Sequence, residues 1–124
     1  MNRRSRTWGL EVASERVEGG IVLVPTGRIG SVTALIFADA VTTALAAAPR
    51  VVIDLSDVDY ISSAGIRALQ DTAMTDGRRT ILCSLRDPVR IALELSRGLD
   101  RFVVVKDRRE ALESLKDSTI RDSR

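Results

Sequence analysis

The chain has 124 residues, a length that favours one domain with a single hydrophobic core. Its formal charge is only +2 and aromatic residues make up 3%, so we expect no direct nucleic-acid partner. It contains no histidine, which removes the most common general base and zinc ligand, and its single cysteine, Cys83, excludes an internal disulfide.

Strands and helices alternate along the chain. The predicted elements are a hairpin over residues 10–24, a loop over 25–30, a helix from about 31–33 to 48, a strand over 51–55, a polar turn over 56–61, a helix from 62–63 to 76, and then a strand over 80–83, a helix from 87, a strand over 102–105 and a short helix from 107 to 115. The fold class is therefore α/β, a single domain with a mixed sheet of about five strands and about four helices.

The element boundaries depend on a few residues. Gly19-Gly20 makes the hairpin turn, and residues 51–55 are apolar throughout, as in a central strand covered on both faces. In the third helix, Asp87 precedes a proline as cap, and Ile91 and Leu95 share a face. We expect residues 1–8 to be a flexible leader, 9–116 the domain and 117–124 a flexible tail.

No stretch predicts membrane insertion or secretion. Residues 32–48 are the longest weakly polar stretch, but they contain Asp39 and several threonines and are too short to span a bilayer. The basic residues 3–6 are not followed by an apolar segment, unlike those of a secretory signal. We therefore expect a cytoplasmic protein.

Two hydroxyls, Ser62 and Ser63, open the helix that follows the central strand and polar turn. The first backbone N–H groups of a helix lack partners, and the helix dipole favours negative charge there. One interpretation is simple capping of the helix by a serine oxygen. The other is a regulated phosphoacceptor, since a phosphate of about −1.5 to −2 charges is compatible with a helix start but not with a partner surface pressed against it.

Other chemistry finds little support in the sequence. A serine nucleophile would need the Gly-x-Ser-x-Gly pattern or a histidine, and both are missing, so we predict no catalytic residue. Asp54, Asp57 and Asp59 match no calcium loop, so we predict no metal. The loop from Gly27 to Gly30 lacks the lysine of a P-loop, so we predict no cofactor.

Residues 53–69, with the sequence Ile-Asp-Leu-Ser-Asp-Val-Asp-Tyr-Ile-Ser-Ser-Ala-Gly-Ile-Arg-Ala-Leu, closely resemble the signature of the STAS domain family. More narrowly, they are similar to the bacterial anti-sigma factor antagonists. The resemblance extends over about residues 10–116 and includes Gly27 and Thr33-Ala34 near the first helix. It implies a non-enzymatic regulator with a STAS fold.

The resemblance also implies a partner switch. Such antagonists bind an anti-sigma factor serine kinase when unphosphorylated, are released by phosphorylation and are restored by a PPM-type serine phosphatase. The phosphoacceptor position corresponds to Ser63, with Ser62 as the alternative, and Gly65 would let a partner backbone approach. Gly30 stands where members usually carry an aspartate facing the kinase. The implied partner-binding residues are Gly30, Ile61, Ser62, Ser63, Ala64, Gly65 and Ile66.

Two other functions stay open at this point. A STAS domain can be a constitutive assembly subunit of a stress-signalling or membrane transport complex, without phosphate control. Small-ligand binding at the start of the same helix has only the anion-friendly geometry in its favour. The two functions differ in whether they need a hydroxyl at position 63: the switch requires it, and the assembly subunit does not.

Overall fold

Seven strands and four helices make up the part of the chain that the structure, a computed structural model, describes: residues 9–72 and 79–116 with side chains, and residues 2–7 as backbone. The strands are β1 (Asn2–Thr7), β2 (Leu10–Val17), β3 (Gly20–Ile29), β4 (Val51–Asp54), β5 (Val58–Ile61), β6 (Thr80–Cys83) and β7 (Val103–Val105). The helices are α1 (Ala34–Ala47), α2 (Ser63–Thr72), α3 (Asp87–Leu95) and α4 (Arg108–Lys116).

All the strands belong to one mixed sheet. The main order is β1-β2-β3-β4-β6-β7, antiparallel from β1 to β3 and parallel from β3 to β7. Strand β3 is long enough to pair with β4 near its start and, in parallel, with β5 near its end, where Ile29 is the register partner of Ile61. The chain therefore leaves the sheet at neighbouring points after β3 and after β5.

Alternating side chains of the central strands pack against helices on both faces of the sheet. On one face, Leu23 and Ile53 join a core that includes Phe37 of α1 and Leu69 of α2, together with buried residues of α3. On the opposite face, residues of β3, β4 and β6 pack against Ala111 and Leu115 of α4. Helix α2, which begins at Ser63 directly after Ser62, is thus anchored by its own apolar face.

The α/β fold class is confirmed, and the sheet holds more strands than the sequence predicted. Residues 25–29 were expected in a loop but continue β3, and Pro25 lies between the stretches of β3 that pair with β4 and with β5. Residues 58–61 were expected in a turn but form β5. Residues 2–7, where no strand was expected, pair with β2. The expected end of the second helix and the expected tail lie outside the described residues.

Helix α3 exposes the face that the sequence analysis singled out. Ile91 and Leu95 do share a face, but they are 48% and 82% exposed, whereas Val89 and Leu93 are buried. The helix begins at Asp87, whose carboxylate binds the guanidinium of a neighbouring arginine, Arg90, at 2.7 Å rather than capping the backbone. Spacing alone does not say which of two apolar stripes meets the sheet.

Arg79, just before β6, holds the end of α1. Its guanidinium donates hydrogen bonds to the carbonyl oxygens of Leu45, Ala48 and Pro49 at 2.6, 2.7 and 2.8 Å. The last carbonyls of a helix have no partner within the helix, so a cation there satisfies them and complements the helix dipole. The next residue, Thr80, is buried, and its hydroxyl has no hydrogen-bond partner among the described residues.

Asp54 and Arg108 connect β4 to the start of α4. The Nε of Arg108 donates to Oδ2 of Asp54 at 2.9 Å, and the backbone amide of Ser56 donates to Oδ1 at 3.1 Å. Burial raises the pKa of Asp54, but the Ser56 amide and the Arg108 guanidinium lower it by more, so the pKa lies below its ordinary value. On the neighbouring strand, burial raises the pKa of the Cys83 thiol to about 11.

Candidate functional site

The end of β5 fixes where α2 begins. The backbone amide of Ser62 donates to the carbonyl oxygen of Ile29 at 2.9 Å, which continues the pairing of β5 with β3 for one residue beyond Ile61. The amide of Ile66 then donates to the carbonyl oxygen of Ser62 at 2.8 Å, the first bond of the helical pattern. These hydrogen bonds hold the two serines directly after the carboxyl end of β5.

The structure gives the two hydroxyls different roles. The Ser62 oxygen accepts a hydrogen bond from the backbone amide of Gly65 at 3.1 Å, so Ser62 caps the helix and is half-buried. Ser63 is the first helical residue, and its side chain is exposed. Within the described part of the chain, no group hydrogen-bonds the Ser63 hydroxyl. Of the two interpretations that the sequence left open, capping therefore applies to Ser62, and the phosphoacceptor role of the exposed Ser63 stays a prediction.

Gly65 lets α2 approach the sheet closely. A Cβ atom at this position would lie 2.6 Å from the carbonyl oxygen of Ile29 and 2.8 Å from the side chains of Ile29 and Ile61. Gly65 is buried, so the close approach that it permits is to the chain's own strands. This glycine therefore has a reason within the fold, and the approach of a partner backbone that the sequence analysis expected there stays a prediction.

The other expected contact residues divide between core and surface. Ala64 is exposed beside Ser63, whereas Ile61 is buried. Ile66 is half-buried and packs against the core, and its Cγ2 lies 3.4 Å from where a Cβ of Gly98 would stand. Within residues 61–66, the exposed side chains are therefore those of Ser63 and Ala64. Ile61 and Ile66 pack against the core beneath them.

The start of α1 adds apolar side chains that the sequence analysis missed. Val32 and Leu35 are 65% and 75% exposed. Helix α1 packs alongside α2, and the two helices begin after the paired ends of β3 and β5. Val32 and Leu35 do not belong to the helical stripe of Phe37 and Val41 that meets the sheet. This departure from the spacing of the buried stripe could have predicted their exposure.

Gly30 belongs to the turn that leads into α1. Its amide donates to Oγ1 of Thr33 at 2.9 Å, and that hydroxyl donates to the carbonyl oxygen of Arg28 at 2.8 Å. The Arg28 guanidinium lies 4.3 Å from the centre of the Tyr60 ring, within the range of a cation–π contact. The loop that would face a partner here is therefore neutral at Gly30 and basic at Arg28.

Neither metal-binding nor membrane-spanning elements stand out in the described residues. Asp54 binds Arg108 and a backbone amide, and no three cysteine or carboxylate side chains in residues 9–72 and 79–116 lie together as metal ligands. In the same ranges, every helix is too short or too polar to cross a bilayer. The start of α2 offers an exposed hydroxyl next to the exposed Ala64, and the loop before α1 adds the positive charge of Arg28.

Comparison with known proteins gives the family and the fold of the chain. A model of the STAS domain family matches residues 11–111. BtrV of Bordetella bronchiseptica, named as a candidate anti-sigma factor antagonist, is 38% identical over 71 residues, which cover 54% of this chain and 60% of BtrV. The match therefore spans less than two thirds of that relative's length.

Solved structures share the fold. An anti-sigma factor antagonist from Mycobacterium paratuberculosis has a TM-score of 0.78 at 25% identity, over 87% of this chain and 95% of that one. SpoIIAA of Bacillus in its phosphorylated form has a TM-score of 0.60 at 15% identity, over 84% and 98% of the two chains. Since the family model spans most of the residues from β2 to α4, the chain belongs to the STAS domain family.

Proposed function

We propose that the chain is an anti-sigma factor antagonist that binds an anti-sigma factor serine kinase while Ser63 is unphosphorylated. Phosphorylation of Ser63 releases it, and a PPM-type serine phosphatase restores it. The observation that carries this proposal is the exposed, unbonded hydroxyl of Ser63 next to a different serine, Ser62, that caps the helix. Family membership and the antagonists among the relatives support the same role.

The chemical step is carried out by the kinase. The Ser63 oxygen attacks the terminal phosphorus of ATP, an O–P bond forms as the bond to ADP breaks, and the hydroxyl proton passes to a base of the kinase. This chain contributes the accessible oxygen on a rigid first turn of α2. In this proposal the antagonist itself is not an enzyme and needs no cofactor.

The switch acts through charge and desolvation. Unmodified Ser63 and its exposed neighbour Ala64 are uncharged, as are Val32 and Leu35 at the start of α1, so a partner can cover these side chains at little electrostatic cost. The exposed cations nearest to them in the chain are Arg28 and Arg67. A phosphate brings about −1.5 to −2 charges, which the same contact would have to desolvate. A hundredfold loss of affinity requires only about 2.8 kcal/mol. The fold survives, because a helix start tolerates negative charge.

Affinity purification tests the partner. Tagged wild-type and Ser63→Glu chains are expressed in the source organism, and the proteins that co-purify are identified by mass spectrometry. We expect an anti-sigma factor with a kinase domain to bind the wild-type chain and to be lost from Ser63→Glu. Equal recovery on both baits would contradict control by charge at Ser63.

Intact-mass analysis tests the site with a matched control. The recovered kinase and ATP are incubated with wild-type, Ser62→Ala and Ser63→Ala chains. We expect one phosphate on wild type and on Ser62→Ala, and none on Ser63→Ala. Stoichiometric phosphorylation of a folded Ser63→Ala chain would overturn the assignment.

The second candidate function is a constitutive assembly subunit. The exposed Ile91 and Leu95 on α3 favour it, because they offer an apolar contact that does not include Ser63. It predicts that the same partners bind the wild-type and Ser63→Glu chains, with Ser63→Ala fully functional and no phosphorylated form in cells.

A further inference from the structure

Arg67 lies one helical turn beyond Ser63 on α2, and both side chains are exposed. Residues four apart on a helix are neighbours, with Cβ atoms roughly 5–6 Å apart. Helical side chains lean toward the N-terminal end of their helix, which favours rotamers of Arg67 that reach the turn containing Ser63. A group attached to the Ser63 oxygen therefore lies within reach of the Arg67 guanidinium.

The Arg67 guanidinium has no ion-pair partner in the described structure, although other helical arginines do. Asp71 is four residues further along the same helix, yet it makes no ion pair with Arg67 there. Acid–base pairs at this spacing are stronger when the acid precedes the base. Asp71 follows Arg67, which is the order that gives the weaker pair. An anion on Ser63 would precede Arg67, which is the order that gives the stronger pair.

We infer that Arg67 is the ligand of the phosphate on Ser63, bound within the same helix. The inference rests on the proposed phosphorylation of Ser63. A guanidinium can donate two parallel hydrogen bonds to phosphate oxygens, a stronger pairing than a single neutral hydrogen bond. Arg67 also lines a groove of about 480 Å³, together with Asp71, Arg97, Asp100 and Arg101. Arg97 binds Asp100 at 2.8 Å, and Arg101 belongs to another segment, whereas Arg67 shares α2 with Ser63.

This pairing gives phosphorylation a second effect on the docking surface. Besides adding charge at Ser63, the phosphate would draw the Arg67 side chain toward the start of α2. A partner that contacts Arg67 in the unphosphorylated chain would lose that contact at the moment of modification. The switch would then combine repulsion at one residue with withdrawal of another.

The test uses phosphoserine encoded at position 63 during translation, so that no kinase is needed. The second pKa of the phosphate is measured by ³¹P NMR titration in the otherwise wild-type chain, in Arg67→Gln and in Arg109→Gln. Arg109 is a matched control, since it is an exposed arginine on α4, across the sheet from α2. We expect Arg67→Gln to raise the phosphate pKa by about 0.3 unit and Arg109→Gln to leave it unchanged.

Two further measurements of the phosphate pKa, in Arg67→Lys and at high salt, complete the test. Arg67→Lys keeps the charge but not the planar fork, so its phosphate pKa should lie between those of wild type and Arg67→Gln. The difference should shrink in high salt, as expected for an exposed pair. Equal phosphate pKa values in wild type, Arg67→Gln and Arg67→Lys would overturn the inference. Failure of the proposed function is separate, since it would appear as absence of natural phosphorylation at Ser63.

Discussion

The side-chain oxygen of Ser62 and the backbone amide of Gly65 are joined by a hydrogen bond of 3.1 Å that closes the first turn of α2. This bond makes Ser62 a structural residue, whereas no described residue hydrogen-bonds the hydroxyl of its neighbour, Ser63. In the proposed function, stability and regulation at the same helix start therefore depend on different hydroxyls. The distinction can be measured without any partner protein.

Ser62→Ala should lower the free energy of unfolding by about 1 kcal/mol, because it removes the cap. Ser63→Ala should change it by less than about 0.5 kcal/mol, as expected of an exposed side chain that no described residue hydrogen-bonds. Urea unfolding of both variants beside wild type measures the difference. Equal losses would mean that the cap is not confined to Ser62.

Gly65→Ala should lower the free energy of unfolding by about 2 kcal/mol, because the added Cβ would overlap the carbonyl oxygen of Ile29. This loss should appear although alanine is favoured over glycine in helices by about 1 kcal/mol. Gly30→Ala is the matched control, since its nearest neighbour would be a Tyr60 ring carbon 4.0 Å away. A Gly65→Ala chain as stable as Gly30→Ala would contradict the close approach.

Asp54 should make stability depend on pH in the acidic range. Its pKa is lower in the folded chain than its ordinary value of 3.8, so the stabilisation is complete above that value and disappears as the pH falls through the folded pKa. Wild type should therefore exceed Asp54→Asn by about 2 kcal/mol near neutral pH. The margin should shrink by about pH 3. Urea unfolding at both pH values checks this, and a margin that does not change would contradict the pairing with Arg108.

Thr80→Val should stabilise the chain by about 1 kcal/mol, because it replaces a buried hydroxyl that has no partner among the described residues by a methyl group of similar size. Thr80→Ala separates the two effects, since it removes the hydroxyl but leaves a cavity. Thermal unfolding should rank Thr80→Val above wild type and Thr80→Ala below Thr80→Val. A loss of stability in Thr80→Val would indicate that the hydroxyl is hydrogen-bonded.

Arg79→Ala should lower the free energy of unfolding by about 2 kcal/mol, because the last carbonyls of α1 lose a charged donor. Arg109→Ala is the control, since Arg109 makes only an exposed pair with Glu113 at 3.2 Å. Amide hydrogen exchange should show faster opening at the end of α1 in Arg79→Ala alone. Similar exchange in both variants would argue against this cap.

The order of helices and strands could be read from the sequence because each central element has its own apolar pattern. The strand β5 could not, since its residues 58–61 alternate too briefly and carry the charge of Asp59. Its pairing depends on the far end of β3, a contact that local patterns do not contain. Pro25 likewise indicated a loop, because local patterns do not show that β3 continues through it to pair with β5.

At the site, residue types predicted the position but not the division of roles. Both serines fit a helix start, and only the hydrogen bond to Gly65 separates the cap from the exposed hydroxyl. Gly65 was expected to let a partner backbone approach, and its close approach to Ile29 was not predicted. A glycine in a sequence does not reveal which backbone comes close to it. The exposure of Val32 and Leu35 likewise depends on how α1 is rotated against the sheet.

The burial of Cys83 has a practical consequence for following the switch. With a thiol pKa of about 11 and no exposed surface, this cysteine stays protonated and shielded at neutral pH. It is also the only cysteine of the chain. A cysteine introduced at Ala64 would therefore be the sole reactive thiol, and one fluorophore attached there could report each docking and release event in real time.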